Sequence, residues 1–196
     1  MTTSMRLTSA DLELMPDDGK RYELIEGELY VSKQPGWHHQ YTCGRLFRFL
    51  DEWNDRTGLG MVNAAPGVIF AEDDDVAPDV VWVSMERLAT ALADDDKLHA
   101  APELIIEVLS PGKKNERRDR ETKLKLYARR GAHEYWIVNW RQRSVEVYRR
   151  EQATLRLAAT LYAQDILDSP LLPSFTCQVA RLFIDLPLRK EVDERG

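Results

Sequence analysis

The run ELIIEVLS at residues 103–110 decides the fold. Leu104, Ile105, Ile106, Val108 and Leu109 form an apolar series without the alternation of a half-exposed strand, so the segment reads as a central strand covered on both faces. Glu107 interrupts that series. A carboxylate in such a strand must bind a cation, pair with Lys or Arg, or take up a proton, because an unpaired charge in the interior is too costly.

Working outward, residues 115–130 are helical in period and stop at Gly131. EYWIVN, SVEVYRR and TLRLAAT follow as strands, with turns at 141–143 and near 151–153. Upstream, PDVVWVS is a β-branched strand, and MVNAAPGVIF is a strand candidate broken at Pro66-Gly67. Between Trp37 and Trp53, Tyr41, Leu46, Phe47 and Leu50 recur at helical spacings, predicting an amphipathic helix that ends near Thr57-Gly58. RYELI and ELYVS flank Glu26-Gly27 and predict a hairpin over 21–32. Thr8 and Asp11 cap a short helix that stops at Pro16. Helices interspersed with strands give an α/β (α+β) class, a central sheet with helices packed on it.

The 196 residues suit one domain spanning 1–196, with a charged, frayed tail over 187–196. Hydrophobic residues make up 43% and charged residues 31%, the range of folded globular chains rather than disordered ones. No run approaches the roughly 18 apolar residues of a membrane span, and the start lacks a secretory pattern, so a cytoplasmic location is expected. Cys43 and Cys177 stand in no recognised zinc spacing and read as buried small hydrophobes. The net charge of -6 argues against a protein that coats nucleic acid through bulk electrostatics. Its distribution is uneven: residues 111–130 carry nine Lys or Arg against three acidic residues, a local net of +6. The acidic runs 72–75 and 94–96 read as solvated loops.

Asp79 opens the strand PDVVWVS directly after Pro78. Alone it reads as a strand-edge residue; opposite Glu107 it becomes half of a carboxylate pair of the kind that holds Mg²⁺. Lys123 falls within the arc of Leu124, Leu126, Tyr127 and Ala128, whereas Lys125 lies on the opposite side of the helix. Lys123 is then either a snorkelling stem or an amine aimed at the carboxylates.

RYELIEGELY, the helix after His39, APDVVWVS, PELIIEVLSP, RDRETKLKLYARRGAHEYWIVN, SVEVYR and SPLLPSF, in this order, resemble the family of Uma-type putative restriction endonucleases, a branch of the PD-(D/E)XK nuclease superfamily. The resemblance spans about residues 6–184 and implies a restriction-endonuclease-like core, a mixed central sheet flanked by helices with additional strands near both ends. It implies a metal-dependent endonuclease acting on the phosphodiester bonds of DNA, with Asp79 and Glu107 holding Mg²⁺ or Mn²⁺ together with the carbonyl of Val108. The superfamily's lysine two residues after the Glu is replaced here by Leu109; the resemblance moves it to Lys123. Glu23 matches an additional acidic residue of such sites, and His39 matches a histidine to which the resemblance assigns no role. Asn139 and Gly112-Lys113 depart from the family's usual Asp and Ser-Thr.

Arg117, Arg118 and Arg120 are the candidate phosphate contacts, or else they merely solvate the helix start. Family resemblance and an expected exposed aromatic supply on the later strands (Tyr135, Trp136, Trp140, Tyr148) point to a homodimer. The rival reading is a catalytically inactive dimeric binding or regulatory module on the same fold, which Leu109 and the acidic balance favour; hydrolysis of a small phosphate ester is a third.

Overall fold

The computed structural model describes residues 6–184, so the tail over 187–196 lies outside the described residues. Thr8 and Asp11 do cap the first helix: the Asp11 carboxylate accepts from the Thr8 backbone N–H (2.7 Å) and from its hydroxyl (2.8 Å). This helix, α1 (Ser9–Leu12), ends four residues before Pro16, earlier than the sequence indicated. Strands β1 (Arg21–Ile25) and β2 (Glu28–Ser32) pair antiparallel across Glu26-Gly27, both at positive φ (53° and 73°), the backbone a tight two-residue turn requires. Helix α2 (Trp37–Thr57) buries Cys43, Leu46, Phe49, Leu50 and Trp53 along one stripe and closes at Gly58 in the left-handed region.

Strands β3 (Gly60–Ala64) and β4 (Val68–Ala71) are separated at Pro66-Gly67 as their sequence indicated. The acidic run 72–75 is not simply a solvated loop: its second half belongs to β5 (Asp74–Val76), and Asp74 is buried. The carboxylate of Asp74 accepts from Arg129 and Arg130, and from the backbone N–H of Glu26 at 2.8 Å. Charge composition alone hides this burial, because the cationic partners of Asp74 lie more than fifty residues away. Next come β6 (Val80–Ser84), α3 (Met85–Ala91), which Ser84 caps by accepting from Arg87 N–H, and β7 (Leu104–Val108). The helix over 113–130 has three parts: α4 (Lys113–Arg117), a π-helical stretch Arg118–Lys123, and α5 (Leu124–Arg130). Strands β8 (Glu134–Asn139), β9 (Ser144–Glu151) and β10 (Thr154–Tyr162) follow, then the small pair β11 (Ile166–Asp168) and β12 (Thr176–Gln178).

The central sheet has the order β10-β9-β8-β7-β6-β3 and is mixed: β7 and β8 run parallel, and the other neighbours run antiparallel. A second sheet, β2-β1-β5-β4, packs beside it. Alternation along β6 and β7 divides the core. Val80, Trp82, Leu104, Ile106 and Val108 face α2, while Val81, Val83, Ile105 and Leu109 join Leu126 and Tyr127 on the side of the helix over 113–130. Each of these buried aliphatic side chains contributes about 1.5–3 kcal/mol relative to exposure.

Tyr135 and Trp136 are fully buried in those two layers, and Trp140 and Tyr148 are half-buried. Tyr135 and Trp136 therefore offer no surface to a second copy, because β8 is covered on both faces, and Trp140 and Tyr148 pack partly buried against the core. Among the described residues no helix is long and apolar enough to cross a membrane.

Asn54 locks α2 to the sheet. Its buried Oδ1 accepts from Gly60 N–H and from Trp82 Nε1–H, both at 3.1 Å. Asn54→Ala strands both donors in the interior and is expected to lower the unfolding free energy by about 2–4 kcal/mol in urea titrations. A loss below about 0.5 kcal/mol would show that the two donors find other partners.

Candidate active site

The register of β6 on β7 pairs Val80 with Ile106, so the next opposed residues are Asp79 and Glu107. Opposed residues share a face, which brings both carboxylates to the layer beneath the helix over 113–130. Asp79 is 6% exposed and Glu107 3%, so neither is satisfied by bulk water.

Asp79 Oδ1 accepts from Arg21 Nη1 at 3.0 Å. Its Oδ2 accepts from Val108 N–H at 2.9 Å and lies 3.2 Å from His39 Nε2. Burial pushes this carboxyl up, but His39, Arg21 and the Val108 N–H outweigh it and hold Asp79 well below the usual carboxylate range. Glu107 behaves oppositely. Its Oε1 accepts from Lys123 Nζ and from the Tyr127 hydroxyl, both at 2.7 Å. Burial nevertheless raises its carboxyl to about 7, against the pull of Lys123 and with the push of Asp79, Asp119 and Glu23.

Lys123 is 1% exposed, and its amine also donates to Glu23 Oε1 at 2.8 Å. Burial would discharge it, but Glu107, Glu23 and Asp119 reverse the effect and keep it an ammonium ion. Glu23 accepts a further bond from Ala77 N–H at 3.1 Å; burial raises its carboxyl, and Lys123 with Arg118 brings it below the usual value. Asp119, also buried, is shifted up, chiefly by burial.

The π-helical stretch is what aims these groups. Its wider turns place Asp119 and Lys123 inward together, and the Tyr135 hydroxyl donates to the Asp119 carbonyl at 3.1 Å. Lys125 stays exposed. Leu109, two residues beyond Glu107, is buried among apolar residues on the same face, so the amine at Glu107 comes from the helix instead.

A cavity of about 220 Å³ opens over the cluster, lined by Arg21, Ser32, His39, Asp79, Glu107, Val108, Arg118 and Asp119. Arg118 is also a wall of an adjoining groove of about 410 Å³ that carries Lys114, Arg117 and Arg129. Of the residues singled out in the sequence, Asp79, Glu107, Lys123, Glu23 and Arg118 come together, and Val108 meets them through its N–H. Arg117 lies outside, paired with Glu121 at 2.9 Å. Arg120 turns to Glu146 and Glu116, and its charge is occupied there.

Three functional candidates escaped the sequence reading: Arg21, Asp119 and Tyr127. Asp119, Lys123 and Tyr127 follow one another at four-residue intervals, a polar series on the inward face that periodicity could have revealed. Arg21 precedes Glu23 by two residues on β1, a same-face spacing. Cys43 was set aside, yet its spacing of four from His39 puts Sγ 3.6 Å from His39 Nδ1.

The donor chemistry fits a hard divalent cation. Four buried carboxylates (Glu23, Asp79, Glu107, Asp119) face Lys123, Arg118, Arg21 and the His39 ring, and Asp79, Asp119 and Glu23 add to the burial that raises Glu107.

Among solved structures, one named as a putative nuclease belonging to DUF820 from Anabaena variabilis ATCC 29413 shares 16% identity with a TM-score of 0.71, covering 90% of this chain and 97% of its own. That likeness shows the fold. The type IIG restriction endonuclease BpuSI shares 15% identity over 75% of this chain and 16% of its own, and its TM-score of 0.37 is too low to carry an argument. No curated protein matches the chain. The family model Uma2, described as "Putative restriction endonuclease", matches residues 9–180, and with nearly the whole described chain inside that match the protein belongs to this family.

Proposed function

We propose that the chain is an endonuclease that hydrolyses phosphodiester bonds of DNA with Mg²⁺ or Mn²⁺. The observation that carries this reading is the buried couple of Asp79 and Glu107, with the Lys123 amine on Glu107, at the floor of a cavity walled by arginine. Asp79 and Glu107 would hold the cation, together with the Val108 carbonyl; when bound it supplies Lewis-acid stabilisation of the phosphate and an activated water. The remaining work belongs to the chain. Lys123 holds Glu107 by Oε1, so Oε2 takes neither of the two hydrogen bonds, and its charge offsets the negative charge that develops on the phosphate. Glu23 anchors the amine from the far side. Arg118, on the wall common to cavity and groove, is placed to contact a backbone phosphate, and Arg117 to contact the next one outward. Arg120 has no such role, being committed to Glu146.

Leu109 favoured an inactive module on the same fold. An amine 2.7 Å from Glu107 removes that ground, because the missing charge is present from another element.

On plasmid DNA with Mn²⁺ or Mg²⁺, Asp79→Asn and Glu107→Gln should each lose about 100-fold or more in cleavage rate, and Lys123→Ala a similar factor. Lys125→Ala should stay within about twofold, since an exposed charge adds only screened attraction. Lys123→Ala leaves Glu107 without its cation and Glu23 with Arg118 alone, at a cost of about 3–5 kcal/mol, so its rate must be read per folded molecule. Undiminished cleavage by Asp79→Asn ends the assignment at this site.

Stability against pH gives an independent check. The folded-state carboxyl of Glu107 lies at about 7, above its usual 4.5, so the native state binds the proton more tightly than the unfolded chain. Its contribution is therefore full below about pH 4.5 and is lost as pH rises through 7. In the absence of metal, Glu107→Gln should match the wild type near pH 5 and exceed it near pH 8 by on the order of 2 kcal/mol in denaturant unfolding. A variant less stable at both pH values would show that Glu107 serves as a structural ion pair.

A further inference from the structure

The chain has five tryptophans, and four of them belong to the interior: Trp53, Trp82 and Trp136 are buried and Trp140 is half-buried. Trp37 is 73% exposed. Among the described residues its indole has no hydrogen-bond partner and no ring contact. It opens α2, shortly after Gln34 and Pro35 and three residues before Gln40, all of which line the cavity over Asp79 and Glu107. Residues three apart share a side of a helix, so the indole stands at the rim of that cavity on the side of Gln40. The turn that carries it is fixed. Gln40 N–H closes it on the Gly36 carbonyl at 3.1 Å, and the next side chain, His38, stacks on Trp140 with 4.7 Å between ring centroids and 11° between planes. A ring carried so rigidly loses little entropy when a flat ligand face covers it.

We propose that Trp37 is a stacking platform for an unpaired base beside the scissile phosphate, so that the site takes single-stranded or locally unpaired DNA in preference to intact duplex. The proposal rests on the nuclease reading above and names its substrate class. In a duplex both faces of each base are covered by neighbours. An indole reaches a base face only once that base has left the stack, which costs least where the DNA is already unpaired. Depth argues in the same direction. Asp79 and Glu107 lie 6% and 3% exposed beneath a cavity of about 220 Å³, smaller than the usual pocket for a small molecule, so the phosphate must descend with the sugar of one strand. A single strand follows that path more freely than a paired backbone. Charge is complementary to a lone strand: Lys20, Arg21, Lys33 and Arg118 line the same cavity, the first turn of α2 carries no acidic side chain, and Arg118 leads on into the groove with Lys114 and Arg117. Cationic side chains with an aromatic ring beside them are how a strand is held without pairing. The net charge of -6 leaves little bulk attraction for a duplex.

The experiment is DNA binding to the full chain with metal chelated, read by fluorescence anisotropy of a labelled mixed-sequence oligonucleotide, either single-stranded or annealed to its complement. Wild type should bind the single strand more tightly. Trp37→Ala should weaken that binding about 5–100-fold and Trp37→Phe by a smaller factor, and both should leave duplex binding within about twofold. Because Trp37 is exposed, neither change disturbs the core. Tighter binding of the duplex by wild type, equal loss on both DNAs in Trp37→Ala, or no loss on either overturns the inference. In each of these cases Mn²⁺-dependent cleavage that Asp79→Asn abolishes leaves the nuclease reading standing. Light scattering in which Trp37→Ala changes the number of subunits would assign the ring to an interface between copies and overturn the inference too. Wild-type protein that neither binds nor cleaves either DNA overturns both.

Discussion

Lys123 is the residue on which the rest of the site depends. Its ammonium, almost without contact to water, bridges Glu107 on the central sheet and Glu23 on the second sheet, and it is carried by the helix that covers both. An ion pair so far from solvent repays its desolvation only when geometry and additional hydrogen bonds are good. Here they come from three directions: the Tyr127 hydroxyl on Glu107, the Ala77 N–H on Glu23, and Arg118 beside Glu23 and Asp119. The arrangement joins three elements that are distant in sequence, and it would be hard to retain for packing alone. Apolar residues of similar volume would hold the same layers together without the desolvation cost.

Around Lys123 the cluster crowds four carboxylates. His39, Arg21 and the Val108 N–H keep Asp79 firmly ionised, whereas burial, aided by the neighbouring carboxylates, poises Glu107 near neutrality, two opposed groups with different proton affinities over one small cavity. Crowding of this kind lowers stability. Enzymes hold such strained charge where a cation or substrate relieves it, and the cavity is the opening through which either would arrive.

Much of this was legible in the sequence. An unbroken apolar run marks a strand covered on both faces, so Glu107 inside ELIIEVLS stood out, and the helical arc separated an inward Lys123 from an outward Lys125. The hairpin at Glu26-Gly27, α2 and the three strands after Gly131 followed from period and turn chemistry. What stayed hidden depends on contacts distant in sequence. Asp74 looks like a solvated loop residue until Arg129 and Arg130 are folded against it. Arg118 and Arg120 look alike in sequence; the π-helical stretch turns one toward the cavity and the other toward Glu146. The rings of Tyr135 and Trp136 suggested a surface only because nothing local says that β8 is covered on both faces.

The most direct test is where a cation sits. Crystals of the wild-type chain soaked in Mn²⁺, with anomalous scattering recorded near the manganese edge, should show a peak between the carboxylates of Asp79 and Glu107. A peak elsewhere, or none while the Lys123–Glu107 contact persists at Mn²⁺ concentrations that support cleavage, would contradict the claim that this pair of carboxylates is the metal site.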